Sequence, residues 1–355
     1  MSDVEIPPPR ANPELVGHEA AERDLRRLFE TGRLPHALLL SGPRGIGKAT
    51  LAFRLARFVL TPQTGGLFGD APVAGEGLWT DPESGVFRRI AAAGHADLLT
   101  VERAYDPRRK RMRSEIVVAD TREIGIFLHL TPAEGGWRVV IVDGADAMNR
   151  NAANALLKIL EEPPRRTLLL LVAHSAGRLL PTIRSRCRRF PLAPLAPEIV
   201  RDLLARHRPD LAAKDADAIV ALAGGSIGAA LDLATAGGIE LYRAALGLIR
   251  PARELDLGAL HAFADRLSRP DAEDTYRLVE DLLGQFLARL AVATARGESL
   301  AGDEGEAHRR LHAPASRWAQ LRDDLAHRFA RADGLNLDRK QAILGAFFAI
   351  GEAAG

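Results

Sequence analysis

Four short apolar runs in the first half of the chain alternate with segments in which apolar residues recur at helical spacing. The runs are 37–40, 98–101, 139–142 and 168–172. After the first run, Leu51, Leu55 and Phe58 fall on one face of a helix. Nearly continuous apolar strands separated by helices are typical of a parallel sheet covered on both faces, with ligands at the carboxyl ends of the strands. The pattern therefore predicts an α/β fold.

Helical patterns dominate after residue 192. We predict three domains, which are an α/β core over 1–191, a small helical lid over 192–237 and an all-helical domain over 238–355. One stretch inside the predicted core, 61–94, is rich in glycine and proline and has no clean period. We interpret that stretch as an insertion.

Composition narrows the class of protein. The chain has 355 residues, of which 47% are hydrophobic and 26% charged, a balance typical of globular proteins. The N-terminal residues lack a secretory pattern, and no apolar stretch is long enough for a membrane span, so we expect a cytoplasmic protein without a membrane contact. The single cysteine, Cys187, excludes an internal disulfide and a four-cysteine zinc site.

A phosphate-binding loop follows the first apolar run. The pattern G-x-x-x-x-G-K-[ST] is satisfied by Gly42, Gly47 and Lys48, with Gly45 between the two glycines. It fails at the next position, where Ala49 stands in place of the hydroxyl that ligates magnesium. Thr50 carries a hydroxyl, but one helical position turns it by about 100°. The loop therefore predicts phosphate binding with an incomplete metal site.

A second candidate for nucleotide chemistry lies at the end of the 139–142 run. Asp143 directly follows this run, and in phosphate-loop ATPases such an aspartate holds magnesium. Hydrolytic members place a glutamate directly after it, whereas this chain has Gly144. Asp146 is three residues on and does not take that place. A strand that ends in aspartate is also common in parallel sheets, so the assignment depends on its pairing with the phosphate loop.

A dense basic run, 108–113, interrupts the predicted core. One interpretation is a contact with a nucleic-acid backbone. The other, which we favour, is a solvated hairpin turn, since isolated charge runs usually face solvent.

Several separate segments resemble one known family. The stretches 154–158 and 160–164, the triplet Ser185-Arg186-Cys187 and the segment 335–341 resemble clamp-loader subunits of the AAA+ class, and among them the bacterial DNA polymerase III delta-prime subunits. The resemblance covers most of the chain apart from 61–94. It implies an AAA+ core with a P-loop NTPase-like parallel sheet, a helical lid and an all-α C-terminal collar that joins a ring.

The resemblance assigns Arg186 the role of an arginine finger, which a clamp-loader subunit projects into the nucleotide site of its neighbour. A guanidinium there stabilises the charge on the transferring phosphoryl group. The alternative for this residue is an ordinary salt-bridged surface arginine.

The same comparison indicates what the chain lacks. Where active members sense the outer phosphate, this sequence has Ala173, and where their lid carries an arginine it has Gly228. The cysteines of the family's zinc module are not in this sequence, so we expect no zinc. Weak ATP or phosphate binding by the retained positions would need no hydrolysis, and we expect no required cofactor. Those positions are Gly42, Gly45, Gly47, Lys48, Thr50 and Asp143.

Three functions remain open on these grounds. The first is a non-hydrolysing clamp-loader subunit of the DNA polymerase III holoenzyme. The resemblance implies a hetero-pentamer with the loader's ATPase subunits and its delta subunit, which acts on a sliding clamp and primed DNA. The second is a self-sufficient AAA+ ATPase in replication or repair, which Lys48 and Asp143 support. The third is a stand-alone nucleic-acid binder that uses the 108–113 run.

Overall fold

The computed structural model describes residues 6–62, 77–106, 111–113, 115–134, 136–235, 237–250, 254–269, 271–300, 302–335 and 337–354. The chain divides into two compact units, Met1–Leu231 and Asp232–Gly355. The bounds of the three domains predicted from the sequence remain predictions.

The first unit is built on a five-stranded sheet. The strands of this unit are β1 (Ala37–Ser41), β2 (Leu98–Val101), β3 (Tyr105–Asp106), β4 (Arg111–Met112), β5 (Arg138–Asp143), β6 (Thr167–Ala173) and β7 (Arg188–Pro191). The sheet order is β2-β5-β6-β1-β7, and every neighbouring pair is parallel. All four predicted apolar runs are strands of this sheet, which confirms the α/β fold class.

Nine helices of the described residues accompany this sheet. They are α1 (Glu19–Glu30), α2 (Lys48–Leu60), α3 (Gly85–Ala91), α4 (Val118–His129), α5 (Arg150–Glu161), α6 (Pro181–Arg186), α7 (Pro197–His207), α8 (Ala213–Ala223) and α9 (Ile227–Ala234), the last of which ends in the second unit. The core has two parts, because alternate strand residues point to opposite faces. Leu38 and Leu40 pack in one part with α2, and Leu39 packs in the other with Leu156 of α5.

Part of the stretch that we interpreted as an insertion is regular structure. Residues 63–76 lie outside the described residues, but α3 occupies 85–91. Ser84 caps this helix, and its hydroxyl accepts from the Phe87 amide at 3.2 Å. Val86 and Ile90 are buried in the core around α2. This short helix was missed because its apolar residues span only two turns amid glycine-rich sequence.

The regular secondary structure among the described residues of the second unit consists of helices, with no strand. Its helices after α9 are α10 (Gly238–Leu248), α11 (Leu257–Leu267), α12 (Glu273–Arg296), α13 (Gly302–His308), α14 (Ala315–Leu335) and α15 (Arg339–Ala353). Tyr276 of α12 meets Phe329 of α14 edge to face, with ring centroids 5.9 Å apart. Asp338, in the segment that resembles the family, starts α15 by accepting from the Lys340 amide at 2.8 Å. Among the described helices, none combines the length and the apolarity that crossing a bilayer requires.

Candidate functional site

The phosphate loop connects β1 to α2, as the sequence predicts. Gly42, Gly45 and Gly47 have φ of 152°, 75° and 99°, values that L-residues with a side chain rarely adopt. Gly47 caps the N-terminus of α2, and Lys48 is the first residue of that helix. The three glycines therefore give the loop the backbone shape of a phosphate cradle.

Each of these glycines also meets another segment of the same unit. A Cβ on Gly42 would lie 2.5 Å from the Leu192 carbonyl oxygen, and one on Gly47 would lie 2.8 Å from a methyl group of Leu15. A Cβ on Gly45 would lie 2.5 Å from the Ser226 hydroxyl. Real side chains do not approach neighbouring atoms so closely, so the glycines are needed for packing within this chain as well as for backbone shape.

The predicted lid is joined to the loop through backbone groups. The Gly228 amide donates to the Gly45 carbonyl at 3.0 Å, and the Ser226 hydroxyl donates to the Arg44 carbonyl at 2.8 Å. The same hydroxyl accepts from the Ala229 amide at 3.0 Å and so caps α9. From the sequence, Gly228 was noted only because it replaces the lid arginine that contacts phosphate in active members of the family. The structure shows that the absence of a side chain at Gly228 allows the lid to approach Gly45.

Lys48 is turned onto its own loop. Its Nζ donates to the Pro43 carbonyl, and the residue is 3% exposed. Burial lowers the pKa of Lys48 to about 8, an effect that Asp143 and Asp146 partly oppose. The lysine thus stands at the sequence position expected for a phosphate-binding loop. Its ammonium group, however, is hydrogen-bonded to a carbonyl of the same loop.

The candidate magnesium site lacks some of the groups that a working phosphate-loop ATPase provides. Asp143 ends β5, and burial raises the pKa of its carboxyl group, with a further contribution from Glu102. Gly144 follows with φ of 77°. A glutamate at that position would be strained in the same conformation. Thr50 is buried within α2, and Ala49 supplies no oxygen.

Asp146 has a role that the sequence did not reveal. Its carboxylate accepts from the amides of His174 at 3.1 Å and Ser175 at 3.0 Å. These amides directly follow Ala173, which is fully buried at the end of β6 and pairs with Ser41. Asp146 therefore joins the turn after β5 to the turn after β6. Its carboxylate is occupied by two backbone amides.

Arg186 is the last residue of α6, outside the phosphate loop region. Its Nη1 donates to the Thr182 carbonyl at 3.0 Å, and its Nη2 lies 2.7 Å from Oε1 of Glu161. The arginine side chain is 36% exposed.

The register of β7 shows which edge of the sheet Arg186 occupies. Arg188 pairs with Leu38, and Pro191 pairs with Ser41, directly before the phosphate loop. Three strand residues span about 10 Å, and Arg186 lies two residues before Arg188. Arg186 is thus at the amino end of the strands, at the edge opposite its own phosphate loop.

Two buried arginines on α2 were missed by sequence reasoning. Arg57 donates to the carbonyls of Arg10 at 2.9 Å and Asn12 at 2.8 Å, while Arg54 pairs with Glu22 of α1. The only signal in the sequence was the presence of these arginines in a mostly apolar helix. Arg57 holds the segment before α1, and Arg54 holds α1 itself, against the helix that follows the phosphate loop.

Half of the basic run, 108–110, lies outside the described residues. On either side of the omitted residues, Tyr105 pairs antiparallel with Met112 and Asp106 with Arg111. Arg113 is exposed. The solvated hairpin turn and the nucleic-acid contact by the run both remain predictions.

Comparison with known proteins identifies similar sequences. Residues 17–196 match the family described as DNA polymerase III, delta subunit. The chain is 38% identical over 195 residues to DNA polymerase III subunit delta' of Pseudomonas aeruginosa, which covers 54% of this chain and 53% of that protein. It is 32% identical over 192 residues to subunit delta' of Bacillus subtilis, over 53% of this chain and 52% of that protein.

Relatives named as gamma/tau subunits match a longer part of the chain than the delta' subunits do. Subunit gamma/tau of Mycobacterium tuberculosis is 32% identical over 286 residues, which is 78% of this chain and 46% of that protein. The chain thus spans about half the length of these curated relatives. A solved gamma subunit-related protein of Thermotoga maritima is 19% identical, with a TM-score of 0.39 over 93% of this chain and 99% of its own.

Proposed function

This chain belongs to the DNA polymerase III delta subunit family, and from that premise we propose that it is a cytoplasmic, delta-prime-type subunit of a clamp loader. In this proposal it does not hydrolyse ATP and requires neither nucleotide nor zinc. It donates Arg186 to the nucleotide site of a neighbouring ATPase subunit, where the guanidinium stabilises charge on the transferring phosphoryl group.

The position of Arg186 carries the proposal. It is partly exposed, and it lies at the edge of the sheet opposite the phosphate loop of its own chain. A guanidinium stabilises phosphoryl transfer only through hydrogen bonds of about 3 Å to the transferring group. Arg186 can therefore serve only a nucleotide that another chain holds at that edge.

The condition of the chain's own nucleotide site supports the absence of hydrolysis. Ala49 cannot ligate magnesium, and Gly144 cannot polarise a water molecule. General bases and metal ligands typically contribute about 10²-fold or more each to such reactions. The Gly45 carbonyl is also bonded to Gly228 of the lid, and the Lys48 ammonium to Pro43.

The proposed partners follow from the names of the relatives, which are subunits of DNA polymerase III. We propose a hetero-pentamer in which this chain adjoins the loader's ATPase subunits and its delta subunit, with the all-helical second unit as the collar. The assembly acts on a sliding clamp and primed DNA, with no membrane contact.

The proposal is tested in a loader reconstituted from its subunits. Replacing Arg186→Ala should reduce ATP turnover at the recipient site by about 10³-fold or more, the usual contribution of an arginine finger. Arg188→Ala removes an exposed arginine of the same edge and is the matched control, for which we expect no comparable loss. Unchanged DNA-stimulated ATPase and clamp loading with Arg186→Ala would overturn the proposal.

One observation favours a self-sufficient ATPase as a second candidate. Asp143 interacts electrostatically with Lys48, as the two groups would in a working site. Magnesium-dependent ATP turnover by the purified chain, abolished by Lys48→Ala, would establish this second function. We expect no such turnover.

A further inference from the structure

Glu161 and Arg186 form an ion pair between two helix ends. Glu161 is the last residue of α5 and Arg186 the last residue of α6, and their Oε1 and Nη2 atoms are 2.7 Å apart. Nη1 donates to the Thr182 carbonyl at 3.0 Å and lies 3.5 Å from the Ser185 hydroxyl. The guanidinium is thus held by its own helix on one side and by a second helix on the other.

These contacts leave the guanidinium able to bind an anion. A guanidinium has five N–H groups, and the three contacts engage at most three of them. The remaining N–H groups can bond a phosphate oxygen while the pair with Glu161 persists. An unrestrained arginine would have to lose rotamer entropy to adopt one geometry.

The placement of Glu161 is unfavourable for α5 itself. The carboxyl end of a helix carries a partial negative charge, which disfavours an acidic side chain there. Arg186, in contrast, lies where a cation is favoured, at the carboxyl end of its own helix. The Glu161 carboxylate therefore interacts favourably with Arg186 and unfavourably with the dipole of its own helix.

We propose that Glu161 is a positioning residue, which holds the Arg186 guanidinium in the orientation that the neighbour's nucleotide requires. This inference rests on the proposed function of Arg186. The side chains of Glu161 and Arg186 are 50% and 36% exposed, and pairs this exposed contribute little to stability. The effect of Glu161 is on catalysis at the neighbouring site and is exerted through Arg186.

The test uses the full reconstituted loader and measures steady-state ATP turnover with primed DNA. Glu161→Ala should lower kcat by about 3- to 10-fold, the value of one hydrogen bond that a misoriented Arg186 would fail to donate to the transferring group. The KM for ATP should stay within about 2-fold, because the neighbour holds the nucleotide. Glu161→Gln keeps an acceptor oxygen and should restore at least half of the loss. The midpoint of thermal unfolding should move by no more than about 3 °C.

Two further variants separate this inference from the proposed function. Glu162→Ala changes the adjacent exposed carboxylate and should leave kcat unchanged. In an Arg186→Ala background, Glu161→Ala should have no additional effect, since the cycle isolates action through Arg186. If Arg186→Ala abolishes turnover while Glu161→Ala leaves kcat unchanged or raises it, the inference fails and the proposed function stands. If Arg186→Ala itself has no effect, the proposed function fails.

Discussion

The amide of Gly228 donates a hydrogen bond of 3.0 Å to the carbonyl of Gly45, so the lid helix α9 and the phosphate loop meet backbone to backbone. A Cβ on Gly228 would lie 2.8 Å from the Gly45 Cα, and a Cβ on Gly45 would lie 2.9 Å from the Gly228 Cα. Glycine at both positions therefore makes the contact possible. The contact joins the loop to the lid through backbone atoms of both segments.

The first prediction concerns Gly228. Gly228→Ala should destabilise the protein by about 1–3 kcal/mol, because the new methyl group displaces the loop or the lid. The matched control is Gly125→Ala in α4, where the nearest neighbouring atom would be 3.9 Å away. There alanine should be neutral or stabilising by up to about 1 kcal/mol. Denaturant unfolding of both variants measures the difference, and equal midpoints would contradict the close contact.

Gly45 allows the conformational and the packing requirements to be separated. Gly45→Ala should be strained by φ of 75° and should also collide with Ser226 and Gly228. Gly32 has φ of 65° with no heavy atom within 4 Å of its Cβ position, so Gly32→Ala should report the backbone strain alone. We expect Gly45→Ala to cost at least about 1 kcal/mol more than Gly32→Ala. Similar costs in denaturant unfolding would show that packing against the lid contributes nothing.

Asp146 should be a structural residue. Asp146→Ala removes the acceptor of the His174 and Ser175 amides, and hydrogen bonds to a charged group are worth about 1.5–3 kcal/mol each when buried and less where solvent reaches them. We expect a loss of about 1–2 kcal/mol in unfolding free energy and faster hydrogen exchange at both amides. Asp146→Asn keeps one acceptor and should be intermediate. Unchanged exchange at these amides would refute the assignment.

The burial of Lys48 predicts a pH dependence. Its folded-state pKa is about 8, against an ordinary value of 10.5. Between these values the unfolded chain binds the proton more tightly. The cost of burying the ammonium is therefore present in full below pH 8 and disappears as the pH rises towards 10.5.

Lys48→Met should thus raise the free energy of unfolding at pH 7 by up to about 3 kcal/mol. Loss of the hydrogen bond to the Pro43 carbonyl makes the net gain smaller. This gain should shrink as the pH rises from 8 to 10, because the wild-type lysine becomes neutral. Unfolding measured at several pH values checks the trend. A difference that is constant with pH would mean that the lysine is not desolvated.

The sequence was sufficient for features that depend on local pattern. The apolar runs predicted four of the five sheet strands, and the glycines with Lys48 located the phosphate loop between β1 and α2. The remaining strand, β7, was missed because Arg188 and Arg189 are exposed on an edge strand and show no apolar pattern. Resemblance to the family, rather than periodicity, identified Arg186.

The contacts that close the candidate site could not be predicted, because they join residues far apart in the chain. Gly228 meets Gly45, which lies 183 residues earlier in the chain. Arg57 reaches the Arg10 carbonyl 47 residues earlier. No local pattern predicts which distant carbonyl a buried arginine or a glycine amide will bond. The sequence shows that Gly228 stands in place of a lid arginine. It does not show that Gly228 packs against the phosphate loop instead.

In the function that we propose, this chain contributes Arg186 to a neighbour's chemistry and performs none at its own phosphate loop. The most direct test compares Arg186→Ala with Lys48→Ala in the reconstituted loader, by measuring DNA-stimulated ATP turnover. We predict that Arg186→Ala abolishes turnover at one site, whereas Lys48→Ala leaves turnover unchanged. Loss of turnover with Lys48→Ala and normal turnover with Arg186→Ala would contradict the account.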